Sequence, residues 1–524
     1  MAENEENKQL DVILETSVST DDNPDKNLEA TIETLNGNIA ILNETIKELR
    51  CDIKEYKADI KQLKKDLKAK DELINGLLAQ INKNSRNSSK PSSTDGYRKP
   101  SPKPSAVNKG SRTKKSNGGQ PGHEGTTMKL SSEPDEKINL LPSECMVCPF
   151  AGTCSALLEA GTVQTRDQIH LQISVIHNQY CQKEVVCPMS DMRLRGVFPD
   201  DVTAPYTYSS SVKALVSALS TFGMVSFNRI KEFMSGLGVR MSEGTIANIL
   251  KTVGELSRKQ RERLKGYLLG QPVIHVDETG MKEKGKGKWV HTVATEHATF
   301  LAAVAKRGKK GMDEIGFLPD YHGIAVHDRM LGYFDEGFDF EDAICNAHID
   351  RDLQGIIENY NQKWARSMQI LLKDMLKAVR VAKAKGLDRL SDSQLKKFSD
   401  RYDDIVDKGL HRNPFVMEVI PGKRGKKKQH PARNLAVSLQ KLKDGILRFI
   451  HDFRVPFSNN IAERSFRLAK VKNKVAGSFR KDGGIDDFVA TYSIIDTCRK
   501  NGLNAFSTLI DMIEGHDVLS FLNA

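Results

Sequence analysis

From Leu28 to Ile81 apolar residues recur at alternating steps of three and four without a slip. Ile32, Ile39, Ile46, Ile53, Ile60, Leu67, Ile74 and Ile81 occupy one heptad position. Leu28, Leu35, Leu42, Leu49, Tyr56, Leu63 and Leu77 occupy the other, and only Lys70 breaks the series. A strict 3.5-residue period keeps one seam facing a partner helix. Isoleucine at a with leucine at d favours a parallel pair, because each side chain fits its own hole geometry. The competing reading, a long amphipathic helix packed on its own protein, needs no such strict period. Residues 26–83 are therefore expected to form a parallel coiled coil that self-associates into a dimer or a higher assembly.

The flanks of this helix cannot fold alone. Residues 1–35 hold 10 acids and 2 bases, and residues 1–25 read as an acidic, disordered head. Residues 83–120 are rich in Ser, Pro, Gly and Asn, with 10 bases against the single acid Asp95. That segment reads equally as a flexible arm pairing with phosphates or as a solvated linker. The whole chain of 524 residues carries 79 bases and 68 acids, a net charge of +11, which points toward a polyanionic partner. No apolar run is long enough to span a membrane, and the acidic start lacks the apolar core of a secretory signal, so a cytoplasmic setting is expected.

Five of the eight cysteines, Cys145, Cys148, Cys154, Cys181 and Cys187, fall within one short stretch. Cys145 and Cys148 have the spacing of a zinc knuckle, and Cys181 with Cys187 could complete a structural Zn²⁺ site. Cys154 is a substitute ligand, and His170 and His177 could compete. The alternative is a set of buried or degenerate cysteines. Further on, Asn228–Gly238 reads as a helix ending on glycine, and Ser242 caps a second helix. This pattern fits a helix-turn-helix or, equally, two packed helices without a DNA contact.

Pro272–Asp277 is a short apolar strand ending on a carboxylate. Strand-like runs follow at 288–295 and 299–305, then a helical stretch near Met312–Leu318. Another strand, Gly323–Asp328, again ends on Asp, and Glu341–Ala347 could be a fifth. Residues 350–450 switch to helical periodicity, and Asn459 opens a helix carrying Glu463. Singly, Asp277 and Asp328 read as turn residues, and Glu463 as a capping-box or ion-pair residue. In this order they have the layout of an RNase H-like core. The fold expected is a multidomain α/β protein, with a mixed-sheet catalytic core split by a large helical insertion. The expected segments are 1–25, 26–83, a basic linker at 84–140, a cysteine-rich domain at 141–200 and a helix-turn-helix-like domain at 201–268. The core follows at 269–348 and 456–500 around the insertion at 349–455, and a helical tail at 501–524 ends the chain.

Six sequence stretches, in order, carry a resemblance to the insertion-sequence 66 family of bacterial transposases. They are Ser85–Ser93, Gly118–His123, His275–Gly280, Cys345–His348, Asn459–Arg464 and Thr491–Leu503. The resemblance implies a DDE recombinase with its acidic triad on Asp277, Asp328 and Glu463, a leucine zipper and a zinc-binding domain. It implies binding to element ends and target DNA, a nucleoid-associated place when bound, and accessory transposition proteins as further partners. The chain departs from the family pattern at Ser458, at Ile349–Asp352 and at Val471–Val475.

The residue types suit the chemistry. Two divalent cations, Mg²⁺ or Mn²⁺, ~3.5–4 Å apart can activate a nucleophile and stabilise a leaving oxygen. Carboxylates are the hard ligands such ions need. Asp277 is expected to bridge both, with Asp328 on one and Glu463 on the other. Between Arg454 and Lys481 there are 8 bases and the single acid Glu463. Arg464, Arg467, Lys470, Lys472 and Lys474 are expected to hold DNA phosphates, and Cys345 and His348 to support the site. Two rival readings are a non-catalytic DNA-binding regulator derived from a transposase and an RNase H-like nuclease that hydrolyses without strand transfer.

Overall fold

A computed structural model of the chain describes residues 24–88, 133–159, 161–415 and 429–523. The acidic head through residue 23, the tether between 89 and 132, and the Gly118–His123 stretch lie outside the described residues. Among the described residues, no helix is long and apolar enough to cross a membrane. The chain divides into two units, Met1–Ser92 with Arg351–Arg366, and Ser93–Asp350 with Ser367–Ala524.

The first unit is dominated by one 58-residue helix, α1 (Pro24–Ile81). Its heptad side chains are exposed along the length, Ile46 by 45 % and Leu63 by 66 %. Just after it, Asn87 folds the chain into a tight turn. Its Oδ1 accepts from the Asn84 N–H at 2.8 Å, and its Nδ2 donates to the Asn82 carbonyl at 2.9 Å and to Glu358 Oε2 at 3.0 Å. Gly355 lies under this turn, where a Cβ would stand 2.3 Å from the Asn87 carbonyl oxygen. Any side chain at 355 pushes the turn away.

In the second unit, the described residues from 133 to 209 contribute three short helical turns and the hairpin β1 (Glu184–Val186) with β2 (Arg193–Arg195). None of its described residues is buried. Helices α2 (Ser210–Thr221), α3 (Phe227–Gly236) and α4 (Glu243–Leu269) follow. Ser242 caps α4, its Oγ accepting from the Thr245 N–H at 3.0 Å. Apolar residues at helical spacing, Ile246, Ile249, Val253, Leu264 and Leu268, are buried along 27 residues of α4. Helices α3 and α4 are the two helices of the segment 201–268 that reads equally as a helix-turn-helix or as two packed helices. Ile230 of α3 and Ile246 of α4 share one hydrophobic core with Ile274 and Val276 of the sheet, so the second helix is a packed core element.

The sheet is built from β3 (Val273–Glu283), β4 (Lys286–Ala294), β5 (Thr299–Val304), β6 (Ile324–His327) and β7 (Glu341–Ile344). Its order is β5-β4-β3-β6-β7. The first three strands form an antiparallel meander, whose first turn uses Lys284 and Gly285 at positive φ. Between β5 and β6 the chain passes through α5 (Lys309–Ile315), which allows β6 to run parallel to β3, and β7 to β6. Among the described residues, five helices lie between β7 and the Glu463 segment: α6 (Asn346–Tyr360), α7 (Lys363–Ala384), α8 (Asp392–Arg412), α9 (Pro431–Lys441) and α10 (Lys443–His451). The chain then returns through α11 (Asn460–Ser465), α12 (Arg467–Ala476) and α13 (Gly484–Lys500). Helix α13 is buried almost all round and packs between β5 and α4, and α14 (Ala505–Ile513) closes against α2.

Candidate active site

Strand β3 lies at the centre of the sheet, and its last registered pair with β6 is His275↔Val326. Asp277 and Asp328 each stand two residues beyond that pair. Because side chains alternate along a strand, the two carboxylates leave neighbouring parallel chains on the same side, about one strand spacing (~4.8 Å) apart. Asp277 Oδ1 accepts from the Glu278 N–H at 2.8 Å, and Asp328 Oδ1 from the Met330 N–H at 3.1 Å.

Glu463 comes from the first turn of α11, and the start of that helix is tied to the sheet by Asn459, which is 1 % exposed. Its Nδ2 donates to the Val276 carbonyl at 2.7 Å, and its Oδ1 accepts from His275 Nδ1 at 2.8 Å. Its own N–H donates to Cys345 Sγ at 3.2 Å. One asparagine thus joins the strand of Asp277, the turn after β7 and the helix of Glu463. Burial holds His275 down to about 4, so the ring is neutral near pH 7 and its Nδ1–H is the donor. The Asn460–Glu463 spacing does not form a capping box: the N-cap is Asn459, and it makes no side-chain cap bond.

The far end of α11 is fastened as well. Lys500 Nζ donates to Thr299 Oγ1 at 2.7 Å, the Thr295 carbonyl at 2.8 Å, the Ala298 carbonyl at 3.1 Å and Ser465 Oγ at 3.1 Å. Burial pulls this amine down to about 8. Lys500 and Asn459 do not emerge from residue chemistry alone, although both fall inside the Thr491–Leu503 and Asn459–Arg464 stretches that carry the family resemblance.

The acidic side chains share one field. Burial, and then the Asp328 charge, push the Asp277 carboxyl up to about 8. The Glu278 N–H and Lys470 oppose this, and Glu463 adds to it. Lys470 is lowered by burial and held up by the charges of Asp277 and Glu463. Near Glu463, donor atoms of Cys345, His348 and Glu463 lie within 4.8 Å of one another, with His348 Nδ1 3.9 Å from Glu463 Oε1. Crowded carboxylates whose ionisation is opposed by burial suit a site that takes cations.

The other expected site residues divide. Arg464, Arg467 and Lys474 are exposed, and Lys470 is half-buried beside the carboxylates. Lys472 is a correction: it is 4 % exposed, and its Nζ donates to the Ser220 carbonyl at 2.8 Å, to Ser220 Oγ at 3.2 Å and to the Val225 carbonyl at 3.2 Å. Its charge is spent on the end of α2, inside the protein, so it offers nothing to a phosphate. The cysteines lie in the stretch between 133 and 209. Cys145, Cys148, Cys154, Cys181 and Cys187 are free thiols, exposed or half-buried. Among the described residues they do not enter any group of three or more donors within 4.8 Å. No described residue between 133 and 209 is buried, so any convergence of these thiols would have to come from a bound metal rather than from packing.

A mixed five-stranded sheet among many helices, with Asp277 within β3 and Asp328 just past β6, defines an α/β protein. A family model described as Transposase IS66 family matches residues 206–487, more than half of the chain. The chain belongs to that family, and is a transposase, a DNA-processing enzyme. A second model, described as a family of unknown function (DUF6444), matches residues 23–129. No curated protein matched the chain.

Proposed function

We propose that the chain is a DDE transposase of an insertion sequence, with an RNase H-like core that binds its element's ends, cuts them and joins them to target DNA. The observation that carries this reading is the parallel register ending at His275↔Val326, with Asp277 and Asp328 each two residues beyond it, and Glu463 tied to the same strand through Asn459. Three carboxylates are hard-oxygen donors, and a cation among them relieves the repulsion and burial that oppose ionisation of Asp277. Asp277, Asp328 and Glu463 would hold the ions, Mg²⁺ or Mn²⁺. Bound there, such ions supply an activated nucleophile and charge stabilisation at the leaving 3′ oxygen.

The chain's own residues do the positioning. The sheet fixes the two aspartates, and α11 brings Glu463 to them. Lys470 places a positive charge beside Asp277 and Glu463, where a scissile phosphate would lie. Arg464 and Arg467 are exposed next to Glu463 and clamp backbone phosphates, with Lys474 one or two turns further on. Cys345 holds the turn after β7 through the Asn459 N–H, and His348 flanks Glu463.

Purified full chain is tested with labelled duplexes carrying the terminal repeats that flank its gene, in Mg²⁺. The expected products are cut ends and their joints to a second duplex. Cutting without joining assigns a hydrolytic nuclease instead, and binding without cutting assigns a regulator.

Helix α1 is the self-association element of this reading. Its apolar seam is exposed over the whole length, and pairing two such seams removes surface worth roughly 1.5–3 kcal/mol for each fully buried Ile or Leu. The full chain should sediment as a dimer or larger at micromolar concentration. The triple change Ile46→Lys, Leu49→Lys and Ile53→Lys should convert it to monomer while leaving its helix content. A wild-type monomer would count against the zipper.

A further inference from the structure

The β3–β4 hairpin carries Lys282, Lys284, Lys286 and Lys288 around its turn, and Arg480 and Lys481 come almost two hundred residues later. In the fold these are one piece. The Lys284 N–H donates to the Phe479 carbonyl at 2.7 Å, and the Phe479 N–H donates to the Lys282 carbonyl at 2.8 Å. Gly285 N–H donates to Ser478 Oγ at 3.1 Å, and Lys282 N–H to Asn473 Oδ1 at 3.3 Å. The segment after α12 is thus bridged to the hairpin backbone at Glu283↔Phe479.

This pairing pools the charge of two distant stretches. Two acids interrupt it. Glu283 is 3 % exposed, takes Lys288 as its ion-pair partner and accepts the Ile485 N–H at 3.1 Å. Asp482 pairs with Lys284. Lys282, Lys286, Arg480 and Lys481 are exposed, and none has an acidic partner within ion-pair distance among the described residues. Such a surface is costly to leave without counterions, and it fits a regular polyanion.

Its position selects which polyanion. Lys282 is five residues along β3 from Asp277, about 17 Å at strand rise and on the other face of the strand, at the open hairpin tip, a length comparable to about five base pairs of duplex. Resting on the transposase reading of the Asp277 site, we infer that this hairpin, with residues 478–481, holds backbone phosphates of duplex DNA about five base pairs from the bond presented to that site. The contact is sequence-independent, since lysines on a hairpin tip pair with phosphates and reach no base pattern by themselves.

The test uses the full chain in EDTA, so that no cleavage intervenes, and a labelled random-sequence duplex of about 40 base pairs. Affinity is followed from about 50 to 300 mM KCl. Replacing Lys282, Lys286 and Arg480 together by Gln should weaken binding at low salt about 10- to 100-fold. The slope of log K against log salt should become shallower by about 2–3, near 0.9 for each phosphate that no longer has a cationic partner. The control Lys385→Gln, Lys396→Gln, Lys397→Gln removes the same charge from exposed sites on the helical insertion and should stay within about twofold of wild type. Because all six side chains are exposed, both variants should melt with the wild type. A hairpin variant that binds like the control overturns the inference and leaves the transposase reading standing. A wild-type chain that binds no duplex overturns both.

Discussion

Asp277→Asn is expected to do two opposite things to one protein. It should lower Mg²⁺-dependent cleavage of element ends by about a thousandfold or more, because the carboxylate at the centre of the site supplies the negative charge that binds cations. It should also make the metal-free protein more stable at pH 8. In the folded chain Asp277 holds its proton up to about pH 8, against an ordinary value of 3.8. Below about pH 4 both folded and unfolded chains keep the proton, and the site costs nothing. As pH rises from there toward 8, the unfolded chain releases the proton first, so wild-type stability falls through that window. Asparagine has no proton to lose, and its stability should not fall there. The full shift sets a ceiling near 5–6 kcal/mol, and partial solvation and relaxation bring the expected gain to about 2–4 kcal/mol. Urea unfolding at pH 5 and pH 8 in EDTA reads this directly. An equal stability difference at both pH values would remove the case for a crowded carboxylate site.

Asn459→Ala should be the most damaging single change outside the carboxylates. It strips the Val276 carbonyl and His275 Nδ1–H of their partners in a region where both asparagine and histidine are buried. Leaving two buried polar groups unmade costs about 2–4 kcal/mol. It also frees α11 from the strand of Asp277, so the cleavage rate should fall by about 10–100-fold in protein that remains folded. The adjacent Asn460 is exposed, and Asn460→Ala should change stability by no more than about 0.5 kcal/mol. If the two alanine variants behave alike, Asn459 does not hold the site together.

Much of the frame is legible because it is written in local patterns. The strands at 286–294, 299–304 and 324–327 lie close to where the sequence places them, while the one expected to end on Asp277 continues to Glu283 through its hairpin pairing with β4. The long helix of the insertion region and α1 show in their 3.6- and 3.5-residue periods. Glu463 is harder. Taken alone it has the spacing of a capping box, and only the element order favours another role. The Zn²⁺ expectation rests on cysteine spacing, which records neighbours along the chain and not how segments converge. Lys472 misleads for a related reason. Net charge counts a buried ammonium and an exposed one alike.

What the sequence determined by itself is the apolar seam of α1, the alternation of strands and helices, and the order of three carboxylates along them, although β3 runs past Asp277 to Glu283. Each depends on neighbours a few residues apart, where backbone geometry forces a fixed period. What only the tertiary structure decided is how distant parts meet. Asn459 binds a strand nearly two hundred residues away, Lys472 is drawn inward by the carbonyls at the end of α2, and Phe479 fuses two basic stretches into one surface. α4 proved to be a core helix because its apolar stripe found the sheet. A hydrogen-bond partner or a buried face is chosen by whichever group the chain brings within about 3 Å, and no local period records that choice.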